Sequence, residues 1–331
     1  MKKILPVAVL AAMAGVNGAQ AVHVNQDGLG QVLLFPYYTT TGGQDTYINL
    51  VNTTDEYKAV KVRILESLNS QEVLDFNLYL SPEDHWSAVI YADPDGEGAV
   101  IRSDDNSCTV PNAINEGAVV PFTNFLFTGD GRVNGLERTK EGYVEVIEMG
   151  IVFDGIDPDD EQWQDYILHD QPEGVPANCG KLSDAWSTGG LWIQGPTEAN
   201  RDLSAPTGGL YGYGVLIDVQ EGTAAGYDAV ALDNFIDPMD PFADSVHTDP
   251  GDTTPNLGQS TNSYDVIIGN AVVSGVANNG FDAVSAVLMN NTISNDYVLE
   301  SDIEGGTDWV ITFPTKRDYV DSIPADAPFS Q

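Results

Sequence analysis

The chain has 331 residues, two cysteines and a net charge of −37, from 13 basic against 50 acidic side chains. So large a negative excess excludes nucleic acid as a partner, because binding there needs cations to displace condensed counterions; the same repulsion disfavours an anionic membrane surface. What remains is a chain adapted to high salt, one loaded with calcium, or a strongly solvated surface, and salt adaptation is the plainest of these.

Residues 1–21 read as an export signal. Lys2 and Lys3 form a short basic end, "ILPVAVLAAMAGV" is apolar, and Ala19-Gln20-Ala21 fits a small-x-small cleavage site. The apolar run falls short of the roughly 18 residues that span a bilayer, and Pro6 inside it argues against an anchor helix. A mature chain from Val22 keeps 11 of the 13 basic residues against all 50 acids. Residues 22–331 are enough for one large all-β domain or two smaller ones, and the expectation is one β-sandwich body.

Strand patterns then follow in order. "VLLF" from Val32 reads as a first strand in the chain's own sheet; in a self-assembling variant, Val22 to Leu34 would instead complete a neighbour's sheet. "YINLVNTTDEYKAVKVRI" from Tyr47 reads as a hairpin with a solvated turn at Asn52–Glu56. In its second strand Val60, Val62 and Ile64 alternate with Lys61 and Arg63, which predicts one face in the core and one in water. "EVLDFNLYL" sets Leu74, Phe76, Leu78 and Leu80 against Asp75, Asn77 and Tyr79 in the same way. Further strands are predicted at "WSAVIY" from Trp86, "GYVEVIEM" from Gly142, "YGVLIDV" from Tyr213, "YDVIIGNAVV" from Tyr264, "AVSAVLM" from Ala283 and "DWVITF" from Asp308.

Helix is confined to insertions. "SPEDHW" from Ser81 predicts a single turn. "DPDDEQWQDYILHD" predicts an amphipathic helix near 158–169, with Trp163, Tyr166 and Ile167 on one stripe. Glycine- and proline-rich turns separate the strands. The fold class is therefore all-β, an antiparallel sandwich of jelly-roll or immunoglobulin-like type with one or two short helices inserted. Long loops at about 154–209 and 237–263 are the expected exposed or binding surfaces.

Signals for chemistry are sparse. Cys108 and Cys179, an even pair in an exported chain, predict one disulfide. His23, His85, His169 and His247 are scattered singly, with no zinc spacing or haem motif. "DGRVNGLERTKE" puts Asp130, Asn134 and Glu141 at positions 1, 5 and 12 of a calcium loop, but Arg132 fills position 3, where an acid or amide belongs. Acidic clusters at Asp93 and Asp154 read as solvated loops. Glu145 and Glu148 lie three apart on a strand and point to opposite faces, which fails the paired-acid geometry of a glycosidase. Glu148 reads instead as a buried polar anchor. Tyr37, Tyr38, Trp186 and Trp192 are candidate ligand-binding aromatics for a sugar platform, with core packing as the competing reading.

Taken together, "GLGQVLLFPYYTT", "YINLVNTTDEYKAVKVRILESLNSQEVLDFNLYLSPEDHW", "EGYVEVIEMG", "GGLYGYGVLIDV", "YDAVALDNF" and "TDWVITFPTKRDYV" resemble a family of exported bacterial proteins labelled cell-surface proteins. The resemblance covers most of residues 28–320 and implies secretion and a β-rich fold, with no catalytic residue to carry over. The expectation is an exported, non-catalytic structural or binding protein of the cell surface or extracellular matrix, with the periplasm as the alternative compartment. Its partners would be a cell-surface glycan or further copies of itself, joined through sheet edges. A calcium-assisted carbohydrate binder or glycoside hydrolase is the competing expectation, with calcium as its cofactor.

Overall fold

Period-two alternation in the first third of the chain becomes a run of long strands in the computed structural model. It describes residues 21–114, 117–127, 131–154, 161–170, 174–236, 246–269, 271–290, 292–294, 297 and 308–319. First come β1 (His23–Val24), β2 (Val32–Thr39), β3 (Gln44–Asn52), β4 (Lys58–Glu66), β5 (Glu72–Leu80) and β6 (His85–Ala92). Short β7 (Ala99–Arg102), β8 (Cys108–Val110) and β9 (Val120–Pro121) lead to the long β10 (Glu141–Val152). The middle holds α1 (Trp163–Ile167), β11 (His169–Asp170), β12 (Val175–Pro176), α2 (Cys179–Trp186), α3 (Pro196–Asn200) and β13 (Leu203–Ser204). After it come β14 (Leu210–Asp218), β15 (Thr223–Asp228), β16 (Val230–Asp233), β17 (Ser263–Ile268), β18 (Ala271–Val276) and α4 (Gly280–Leu288).

Two antiparallel sheets result. The larger runs β1-β16-β2-β10-β4-β5-β8, with β13 on the end of β10; the smaller runs β15-β14-β3-β6-β7-β9. Their facing surfaces enclose a core that includes Leu33, Phe35, Leu50, Val62, Phe76 and Trp86. The all-β sandwich is thus what the alternation predicted.

The stretch from Tyr47 is not a hairpin, however. β3 belongs to the smaller sheet and β4 to the larger, so residues 53–57 arch from one sheet to the other. Asn52 is fully buried at the base of this arch and its amide donates to the carbonyls of Glu56 (2.7 Å) and Ser81 (2.8 Å). Those bonds satisfy backbone groups that no strand pairs, which is what a chain crossing between sheets requires.

The predicted wet face of β4 is also dry. Every residue of β4 is buried, Lys58, Lys61 and Arg63 included. A third layer covers the outer face of the larger sheet, and it holds a second apolar cluster around Ala59, Tyr79, Ile147, Trp163, Trp192 and Phe235. Charged residues on that face make specific attachments to the covering loop. Lys61 Nζ donates to the Asp249 carbonyl (2.7 Å) and to Asp75 (3.0 Å). Asp75 in turn accepts from the Gly251 N–H (2.8 Å), and Asn77 donates to the Thr248 carbonyl (2.8 Å).

Other elements depart from expectation for local reasons. "AVSAVLM" lies in α4, whose Asn279 caps it by accepting from the Asp282 N–H and whose Ala283, Val284 and Val287 form the buried stripe. A short apolar run does not by itself separate strand from buried helix. "SPEDHW" forms a turn with Glu83 at φ 54°, closed by Asp84 accepting from the Ser81 N–H. α1 occupies the end of the predicted helix, and 155–160 lie outside the described residues. "YDVIIGNAVV" supplies both strands of a ribbon, β17–β18, turning at Gly269. "DWVITF" belongs to no strand; it is tied to the sheet by Thr312 Oγ1, which donates to the Pro36 carbonyl. Val22 to Leu34 is consumed within this chain, where β2 sits between β10 and β16, so that segment is not free to complete a neighbour's sheet.

Cys108 and Cys179 form a disulfide across 71 residues, joining β8 to α2 and pinning the covering layer to the sheet. No helix among the described residues is long and apolar enough to cross a membrane.

Candidate functional site

Five segments converge on one end of the larger sheet's outer face. β4 and β10 are paired there with Arg63 opposite Glu145 and Leu65 opposite Tyr143. Because opposed residues share a face, these four form a floor. Thr253, Asn256 and Leu257 of the covering loop and Phe281 of α4 supply walls. Residues 308–319 cross above, held by Thr312 Oγ1 to the Pro36 carbonyl, by Tyr143 Oη to the Pro314 carbonyl (3.2 Å) and by Tyr319 Oη to Asp282 (2.7 Å). They bring Pro314, Arg317 and Asp318 to the rim. The cavity they line is half open and measures about 400 Å³.

Its floor is an ion network. Arg63 Nε donates to Glu72 (2.9 Å) and Nη1 to Glu145 (2.5 Å), with all three side chains buried. Arg63 Nη2 has no acceptor among the described residues. Burial pushes the Glu72 carboxyl up to about 7 against the opposing pull of Arg63, and nearby Asp75 adds to the rise. Burial likewise raises Glu145, again opposed by Arg63. Asp318 is pushed up to about 7 by burial and then by Glu145, with Arg317 opposing. It stands at the mouth in contact with water, which tempers that effect. Arg317 makes one long bond, from Nη1 to the Ser70 carbonyl (3.5 Å).

Chemically, this arrangement holds guanidinium donors, one rim carboxylate and an apolar wall in a sheltered space. Glu145 is committed to Arg63 and is poorly placed to exchange a proton. Asp318 is the freer acid.

Glu148, by contrast, faces away from this cavity at the end of the inter-sheet core. It accepts from Lys58 Nζ (2.7 Å) and from the N–H groups of Thr207 (3.2 Å) and Gly208 (2.7 Å). It is the buried anchor its position suggested, and it does not pair with Glu145.

The other sequence candidates are dispersed. Asp130 lies outside the described residues. The Asn134 carbonyl accepts from Asn124 (2.8 Å), and Glu141 Oε1 accepts the hydroxyls of Tyr37 (2.9 Å), Thr41 (3.2 Å) and Thr39 (3.4 Å). Between them Arg138 reaches Glu66 (2.8 Å), so this turn is organised around a guanidinium. Among the described residues no group of three or more His, Cys, Asp or Glu could hold a metal ion.

Nor do the candidate aromatics form a platform. Tyr38 is buried and donates to the Thr139 carbonyl (2.9 Å), while Tyr37 is half-buried beside Glu141. Trp186 and Trp192 are core residues of the third layer, packed with Trp163, Tyr79 and His247. A hydrogen-bond chain runs through that cluster. Trp186 Nε1 donates to Tyr79 Oη (2.8 Å), Tyr79 Oη meets His247 Nε2 (2.9 Å), and His247 Nδ1 meets the Ala199 carbonyl (2.6 Å). A carbonyl only accepts, so Nδ1 carries the proton and Nε2 accepts from the tyrosine.

In the sequence only Glu145, beside Glu148, stands out among these residues; Arg63, Glu72, Arg317 and Asp318 sit in no motif. The available signal was sign complementarity: cations at 61 and 63 on β4, acids at 72 and 75 on β5 and at 145 on β10. No known protein family, curated protein or solved structure matches the chain.

Proposed function

We propose that the protein is an exported, non-catalytic binding protein of the cell exterior, with the periplasm as the alternative compartment, and that its ligand occupies the cavity above Arg63. The observation that carries this reading is the cavity itself: a sheltered space of about 400 Å³ whose floor is already ion-paired and whose rim still offers donors. Export is supported by the leader-like residues 1–21 and by the Cys108–Cys179 disulfide, a bond that persists in oxidising compartments. The test is a screen of glycans and small metabolites by calorimetry on the mature protein, repeated on Arg317→Met. A ligand whose affinity falls at least tenfold in the variant supports the reading. Ligands indifferent to that change would place recognition elsewhere and refute it.

The competing hydrolase reading draws on Glu145 and Asp318, two acids lining one cavity. It requires release of reducing sugar from the bound glycan, lost in Asp318→Asn.

Self-association is a second reading, favoured by the β17–β18 ribbon. Ile268, Val272, Val273 and Val276 are all exposed there, and Asp265 is the ribbon's one charged residue. β18 has no strand on its outer side among the described residues and no charged gatekeeper on it. Light scattering across a salt series would detect oligomers that Val273→Lys abolishes; a monomer at every salt concentration would refute it.

A further inference from the structure

The unmet groups around the cavity specify more than its size. On the floor Arg63 is 5% exposed and uses two of its three nitrogens on carboxylates, leaving Nη2 without an acceptor among the described residues. At the rim Arg317 has one long bond to a backbone carbonyl. Two guanidinium groups with spare donors make a site for a planar carboxylate. A doubly charged anion such as phosphate is disfavoured, because Glu72, Glu145 and Asp318 surround those two cations with three carboxyl groups. An isolated amine is also incomplete, since it would leave both arginines unmet. The acid excess is nonetheless real, and Asp318 at the mouth is its exposed member. Leu65, Leu257, Phe281 and Pro314 furnish an apolar wall.

We infer that the cavity binds a small zwitterion of the amino-acid class, its carboxylate held by Arg63 and Arg317, its ammonium by Asp318, and its apolar side chain against Leu257 and Phe281. This rests on the cavity being the protein's binding site. It assigns that site a ligand chemistry distinct from glycan.

The test uses four probes on the mature protein: L-leucine, isoamylamine (which lacks the carboxylate), 4-methylpentanoate (which lacks the ammonium) and inorganic phosphate. Leucine is expected to bind at least tenfold tighter than any of the other three. Arg317→Met should weaken leucine and 4-methylpentanoate alike while sparing isoamylamine, and Asp318→Asn should weaken leucine and isoamylamine while sparing 4-methylpentanoate. Both positions are on the rim, so both variants are expected to keep the thermal midpoint of the parent. Phosphate binding tighter than leucine overturns the zwitterion assignment, as does no response to leucine up to about 10 mM. A glycan that binds with Arg317 dependence while leucine does not would overturn the ligand class and leave the binding role standing. If no compound that binds depends on Arg317, both fail.

Discussion

His247 makes the acid sensitivity of this protein calculable. Its ring is 1% exposed and bonded at both nitrogens, and burial lowers its pKa to about 3, with Lys61 adding to the fall. In the unfolded chain the same imidazole titrates near 6.5. Between those values the unfolded state binds the extra proton, so stability is fully present above about 6.5 and is lost as pH falls. Each pH unit in that window costs about 1.4 kcal/mol, hence about 2 kcal/mol by pH 5. Glu72 and Asp318 work in the opposite sense. Their folded pKa values of about 7 exceed the ordinary carboxyl range, so their contribution is lost as pH rises through 7 and recovered below it. The wild-type curve is the sum of these terms and of relief from general repulsion.

A difference isolates the histidine. Urea unfolding of wild type and His247→Gln, at one fixed salt concentration and at pH values from 7 to 5, gives two stability profiles. The variant is expected to start lower, because it loses part of the Tyr79–His247–Ala199 chain, yet to fall less steeply by about 2 kcal/mol over that range. Parallel profiles would mean that the imidazole titrates alike in both states, and the burial argument would be wrong.

Two further perturbations follow from the same interior. Lys58→Met strands Glu148 as a buried, unpaired charge and is expected to cost about 3–5 kcal/mol, while the double variant Lys58→Met/Glu148→Gln should recover part of it in a double-mutant cycle. Reducing Cys108–Cys179 opens a closure of 71 residues, worth about 4 kcal/mol by loop entropy; urea midpoints with and without reductant measure it.

How much of this was legible depended on what each pattern encodes. Alternation in β4, β5, β10 and β14 reports that two faces of a strand differ, and the strands are where it put them. It does not report what lies against the second face. Lys61 and Arg63 read as solvated because two-layer sandwiches wet their outer faces, whereas here helices and loops remote in sequence cover them. The cavity was illegible for the same reason: Arg63 and Glu145 meet across β4 and β10, but Phe281 and Arg317 reach them only through that third layer. Trp186 and Trp192 sit in a loop-rich stretch that looks exposed in sequence, yet that stretch supplies the layer's core.

The charges on that covered face have a physical logic of their own. An apolar outer face would accept any apolar loop, since hydrophobic burial is non-directional. Lys61, Asp75 and Asn77 instead present donors and acceptors at fixed positions, and each is met by a backbone group of residues 248–251. A misplaced covering loop would leave a buried ammonium and carboxylate unsatisfied, at a cost well above what a shifted apolar contact loses. The same restriction applies at the other end, where Arg63 and Glu145 stop the sheet from being sealed by apolar packing and keep a polar cavity open. In a chain with so few cations, four of them, Lys58, Lys61, Arg63 and Arg138, are buried against acids. The other cations after residue 21, Arg102, Arg132, Lys140, Lys181, Arg201, Lys316 and Arg317, remain at the surface, far outnumbered there by acids. It follows that added salt should stabilise the fold by screening surface repulsion while leaving these interior pairs nearly unaffected.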